Sequence, residues 1–244
     1  MKSSEYAVFS CPRLLGRASI LLRHSTENGA GNVSTLHPEP EDIENLFTRP
    51  DGSFQFARWN RPIVPVVFGV EDTSLPPLKG AIETVVAMAG HATAETDPEL
   101  GTNLMVFFLR DWQELADLEG LDQMIPDLGA LVPRLMGAEA GQYRHIRFDD
   151  EGAIRAVFAF IRMRGDQARR PAEEIGLDLA VKSMLDWGPE AFAAQPTLLR
   201  GEDGVGRLHP MPASVIRAAY DPVLPASAQD RGHALRIYAR LGRT

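Results

Sequence analysis

Cysteine is nearly missing from this chain: Cys11 stands alone, so no internal disulfide can form and packing must hold the fold together. That favours a reducing compartment. No apolar run approaches the roughly 18 residues that a membrane-spanning helix needs. The short apolar pieces near the N-terminus are broken by Ser10, Pro12, Arg13, Gly16 and Arg17 before a signal-peptide core can form. The expected location is therefore the cytoplasm, with export left open if the start codon is misassigned. An excess of positive charge is also lacking. A formal charge of -8 and a pI near 5.3 argue against nucleic acid or an anionic membrane as partner, because both favour a basic face. There is no internal repeat or low-complexity tract. The HExxH zinc motif, the G-x-S-x-G nucleophile elbow and the Lys-Ser/Thr of a phosphate loop are all absent.

What is present suits a globular protein. The 244 residues, 44% of them hydrophobic, can bury a substantial core. Residues 1–50 read as an N-terminal arm and linker: two short apolar pieces, Tyr6 to Phe9 and Ser19 to Leu22, precede a stretch rich in Asn, Gly, Ser, Pro and acid. Residues 51–227 read as the compact domain, starting near Phe54, and residues 228–244 as a C-terminal helix. Within the domain, IVPVVFG at 63–69 predicts a strand that Pro65 places at an edge or bulge. A helix is predicted over 78–89 after the Pro76-Pro77 break, and a doubly covered strand, LMVFFLR, over 104–110. Strand, helix and strand in that order form a candidate crossover unit. Short helices are expected over 112–118 and 127–136, the second interrupted by Pro133. A hairpin follows, 143–148 with 153–163, through Asp149-Asp150-Glu151-Gly152. The expected fold is α+β: a mixed twisted sheet of about four or five strands with helices packed on it.

The rest is organised around RRPAEEIGLDLAVKSMLDWG, residues 169–188. Pro171 suits a helix start. Leu177, Ala180, Val181, Met184 and Leu185 fall on one buried face, and Gly188 with Pro189 ends the helix. The only paired carboxylates, Glu173 and Glu174, lie one turn before Leu177, on or beside the inward stripe. Two readings stand. First-turn acids offset the helix dipole for about 0.3 to 1 kcal/mol each and pair with Arg169 or Arg170. Alternatively, an inward glutamate serves as general base or metal ligand, its proton affinity set by partial burial. Gly176 marks the close approach of some neighbour.

No two of the six histidines are spaced for joint metal binding on one helix. A zinc site would need His145 or His209 to approach Glu173 or Glu174, so no cofactor is expected. The cluster Arg162, Arg164, Arg169 and Arg170 reads as a loop with local ion pairs, and GEDGVG at 201–206 as a turn. The region 189–212 reads as a long loop that is either functional or a covering flap. A helix is expected over 213–220, and another over about 230–241 with Ala234, Leu235, Tyr238 and Leu241 on its apolar face.

ARWNRPIVPVVFG, Asn103 leading NLMVFFL, AVFAFIRM, PAEEIG and VIRAAYDPVLP, in this order over roughly residues 57–225, resemble an uncharacterised bacterial family, domain of unknown function 2927. The resemblance implies a zincin-like fold with the organising helix under the sheet. The family's helix is similar to Cys-x-x-Glu-Glu-Ile-x-Gln followed by Leu-Gly and Asn-Asp. Here the acids fall on Glu173 and Glu174, the Ile on Ile175, the Cys position on Arg170, the Gln position on Leu177, and the Asn-Asp survives only as Asp186. With a core residue replacing the Gln, the resemblance implies a divergent branch with a degenerate active site. The expectation is a non-catalytic protein that binds a protein or small ligand beside Glu173 and Glu174. The alternative is a metallopeptidase-like hydrolase using one of them as general base.

Overall fold

The computed structural model describes residues 38–118, 120–193 and 195–242, together with the backbone of residues 18 and 19. The expected piece from Tyr6 to Phe9, most of that from Ser19 to Leu22, and Cys11 lie outside the described residues. In chain order the elements are β1 (Ala18–Ser19), α1 (Pro40–Asn45), β2 (Phe56–Ala57), β3 (Pro65–Phe68), α2 (Leu75–Met88) and β4 (Leu104–Leu109). After a 3-10 segment at Trp112–Asp117 come α3 (Leu121–Met124), α4 (Leu128–Gly137), β5 (Gln142–Phe148), β6 (Ile154–Arg162) and α5 (Ala172–Met184). The chain continues through β7 (Leu198–Arg200), β8 (Gly206–Leu208), α6 (Pro210–Ala219), β9 (Ser227–Ala228) and α7 (Gly232–Tyr238).

The fold is α+β. One mixed sheet runs β1-β5-β6-β4-β3, with β3, β4 and β6 parallel and β5 antiparallel to β6. β3 lies at the end of the sheet, where Pro65 gives up no ladder bond that a central strand would need. Two-residue alternation divides the strands between two cores. Val106, Val157, Ala159 and Ile161 face α2 and α5, whereas Ala156, Phe158, Phe160 and Tyr143 face Trp112, Leu131 and Leu135 on the other side. This is why β4 is apolar throughout and β6 is apolar from Ala156 to Ile161: both faces are covered.

α5 is the centre of the larger core, and every residue from Glu174 to Met184 is buried. The expected keel of Leu177, Ala180, Val181, Met184 and Leu185 is buried throughout. Its last carbonyls, which have no partner within the helix, receive three side-chain donors. Trp187 Nε1 donates to the Val181 carbonyl at 2.9 Å, Trp59 Nε1 to Ser183 at 2.7 Å and the Tyr220 hydroxyl to Met184 at 2.9 Å. The neighbour of Gly176 is α2. A Cβ on Gly176 would lie 2.8 Å from Ala81 Cβ and 3.0 Å from the Leu78 carbonyl oxygen, so this glycine serves helix packing.

Several elements depart from expectation. α2 starts at Leu75 because prolines in the first turn have no N–H that the helix would use. α4 runs through Pro133 without a break. The region 189–212 holds the β7–β8 hairpin. The apolar face of α7 is displaced: His233, Ala234 and Ile237 are buried while Leu235 is 57% exposed. The core also takes in Ile43, Leu46 and Phe47 upstream of residue 51, and Ala234 and Ile237 downstream of residue 227.

Candidate functional site: a cleft floored by α5

Residues four apart on a helix stack on one side, and α5 carries Glu174, Asp178 and Lys182 at that spacing. All three are buried. Glu173, one position away, is exposed, so the two acids of the pair have separate fates: Glu173 sits at the helix surface and Glu174 turns inward. The inward line floors a cleft of about 1010 Å³. Its walls come from the start of β5 and the end of β6 (Gln142, Arg162), from Arg170 just before α5, and from the segment carrying Phe192, Thr197, Arg200 and Gly206. The cleft thus opens at the carboxyl end of the parallel strand β6, where open sheets commonly leave room for ligands.

Glu174 is held by the hairpin above it. Its Oε1 accepts the Gly206 N–H at 3.0 Å and its Oε2 accepts Arg200 Nη2 at 3.2 Å, with Arg170 Nε 3.9 Å away. The approach is close because position 206 is glycine: a Cβ there would lie 2.7 Å from Glu174 Cδ.

One turn on, Asp178 accepts the Thr197 hydroxyl, while Lys182 Nζ lies 2.9 Å from its Oδ1 and 3.0 Å from its Oδ2. Arg170 Nη1 stands 3.9 Å from Asp178 Oδ2. Burial pushes the Asp178 carboxyl up. Lys182, the Thr197 hydroxyl and Arg170 outweigh it, so its pKa lies below the ordinary carboxylate value. Lys182 is pushed down by burial more than Asp178 raises it, and the charges of Arg144 and Arg170 push it the same way. Behind the pair sits Arg144 of β5, whose buried Nε and Nη1 have no hydrogen-bond partner. Burial lowers its pKa to about 10 against the pull of Asp178 and Asp186.

No known protein family, curated protein or solved structure matches this chain.

Neither histidine considered as a metal ligand lines the cleft. His145 is fully buried with its ring centroid 6.2 Å from that of Phe158, on the face of the sheet away from α5. It is a core histidine whose pKa falls to about 4 through burial and the charge of Arg147. His209 caps α6, its Nδ1 accepting the Met211 N–H at 3.1 Å. Among the described residues no group of three or more His, Cys, Asp or Glu side chains is placed to hold a metal ion. Asp186, expected from the resemblance to stand at the Asn-Asp position, lies outside the cleft lining. It ion-pairs with Arg49 and accepts Gln55 Nε2 at 3.0 Å, and burial raises its pKa.

The arginine cluster divides by partner. Arg169 pairs with Asp166, Arg164 lies 3.3 Å from Asp111, and Arg162 Nη2 donates to the Glu139 carbonyl at 3.1 Å. Sequence reasoning singled out Glu174 but missed Asp178, Lys182, Thr197, Arg200 and Gly206. The signal for the first two was available: Glu174-x3-Asp178-x3-Lys182 is a charged line along a helix whose other positions are mostly apolar.

Proposed function

We propose that this chain is a non-catalytic binding protein that takes a small polar ligand into the cleft between α5 and the β7–β8 hairpin. The observation that carries this reading is the floor of the cleft. Three ionisable side chains in a row, Glu174, Asp178 and Lys182, are buried beneath a cavity of about 1010 Å³. Buried charge is costly to fold around, and cavities near this size are where proteins take up small molecules.

The alternative, a hydrolase with Glu173 or Glu174 as general base, needs a carboxylate within reach of the water it deprotonates. Glu173 is exposed, and both oxygens of Glu174 are engaged by Arg200 and the Gly206 N–H, which favours binding over hydrolysis. Membership of the zincin-like family is part of the same proposal. An antiparallel β5 beside β6, followed directly by an acid-bearing helix against the sheet, supports it. Leu177, packed in the core where the family has a polar Gln, supports a degenerate branch.

The test has two arms. Thermal-shift screening against small polar metabolites should raise the Tm of the wild type, and Glu174→Ala, which frees the hairpin, should weaken that response. Untagged protein purified without added metal should carry no stoichiometric zinc and show no peptidase turnover. One zinc per chain, with turnover that disappears in Glu174→Gln, overturns the proposal.

A further inference from the structure

Lysine is rare in this chain: Lys2, Lys79 and Lys182 stand against 22 arginines. Where a carboxylate needs a cation, arginine supplies it, as Arg200 does for Glu174, Arg49 for Asp186, Arg61 for Asp97 and Arg240 for Asp221. Asp178 is the exception, because its close partner is Lys182. An arginine offers a planar fork that never loses its proton, and it is the better residue for a permanent buried ion pair. What lysine adds is an amine that can shed its proton and attack carbon.

The surroundings of Lys182 suit that use. Its side chain keeps 11% of its surface and borders the cleft, while its Nζ lies within hydrogen-bond reach of both Asp178 oxygens. The groups that face it are Asp178 on its own helix, Arg170 before the helix, Arg144 on β5, and the Phe192 ring with its centroid 6.0 Å from Nζ. Two of these are positive and oppose a third positive charge. Arg162, also on the cleft wall, has a buried Nε without a partner.

We propose that Lys182 is a reactive amine that holds a small 2-oxo acid as an imine, with Asp178 moving the proton and Arg170 and Arg162 taking the carboxylate. The uncharged Nζ adds its lone pair to the carbonyl carbon, forming the C–N bond as the C=O π bond breaks, and Asp178 passes one N–H proton to the oxygen, leaving it as a hydroxyl. Asp178 then accepts the second N–H proton and delivers it to that hydroxyl, which departs as water when the C=N bond closes. Nothing is oxidised or reduced. The proposal rests on the cleft being a binding site. It goes further by assigning the class of ligand and the atom that captures it. Burial, joined by the charges of Arg144 and Arg170, lowers the proton affinity of Lys182 below that of an ordinary lysine.

The full chain is incubated with pyruvate and cyanoborohydride, which reduces an imine to a stable secondary amine, and the modified lysines are identified by peptide mapping. Lys182 should be labelled faster than the exposed Lys79, because the cleft holds the 2-oxo acid beside its Nζ. Asp178→Asn, which keeps the lysine, should slow the labelling. Labelling of Lys182 no faster than of Lys79 overturns the proposal. If Lys182 stays unlabelled while a screened ligand still raises the Tm of both the wild type and Lys182→Met, imine capture is wrong and the binding cleft stands. If no ligand shifts Tm either, both readings fall.

Discussion

His145 offers a measurable consequence of how this sheet is covered. Its ring is fully buried and both ring nitrogens lack a hydrogen-bond partner, so the folded protein holds it uncharged. Its pKa of about 4 lies below the ordinary 6.5. Between those values the unfolded chain binds a proton that the folded chain does not, so stability falls as pH drops through 6.5 and the loss is complete below about 4. From about pH 7 to about pH 5 the linkage amounts to roughly 2 kcal/mol from this one side chain. Other groups titrate in the same interval, so the perturbation is His145→Leu, which keeps a comparable volume and breaks no hydrogen bond. Urea unfolding of both proteins at the two pH values isolates the term. At neutral pH the variant should lie within about 1 kcal/mol of the wild type. On acidification it should lose about 2 kcal/mol less. Equal losses in the two proteins would mean that His145 reaches water or a partner when folded, and the reasoning would fail.

Two further substitutions probe the packing around α5. Gly176→Ala gains about 1 kcal/mol of helix propensity, but its Cβ would sit 2.8 Å from Ala81 Cβ and 3.0 Å from a backbone oxygen of α2. Since overpacking costs about 1 to 3 kcal/mol, denaturant unfolding should show a net loss of about 1 kcal/mol, and a net gain would refute the close contact of α2 with α5. Gly206→Ala would force a Cβ to 2.7 Å from Glu174 Cδ and so lift the hairpin from its carboxylate. Amide exchange should speed up across 198–208 while α5 stays protected, and unchanged exchange there would show that the Gly206 contact does not hold the hairpin down.

The strands were legible because their burial is uniform. β4 and β6 are apolar at consecutive positions, a pattern that only a strand covered on both faces requires, and of the edge or bulge that Pro65 implied the structure shows the edge. The keel of α5 was legible from its period. The opposite stripe was not, since a charged line on an amphipathic helix ordinarily means solvent. Here a hairpin with three-residue strands closes over it, too short for alternation to announce itself. Glu174 was seen through its neighbour Glu173, yet only tertiary structure separates an exposed acid from a buried one at adjacent positions. α7 misled for a related reason. Leu235 fits an apolar period but stays exposed, while His233, polar by type, is buried with its ring tilted against that of Phe56, the centroids 4.3 Å apart.

The same residues both close the site and define it. Glu174 and Asp178 hold the covering segment through Gly206, Arg200 and Thr197, so their charges are largely met from within the protein. Arg162 meets only a carbonyl, and Arg144 behind the floor keeps two buried guanidinium nitrogens without partners. The unmet polarity near the cleft is therefore positive even though the chain as a whole carries -8. A buried cation without a partner is destabilising, and a bound anion would offset that cost. A carboxylate entering the cleft near Arg162 would supply that anion, which ties the class of ligand to the charges that the fold leaves unanswered.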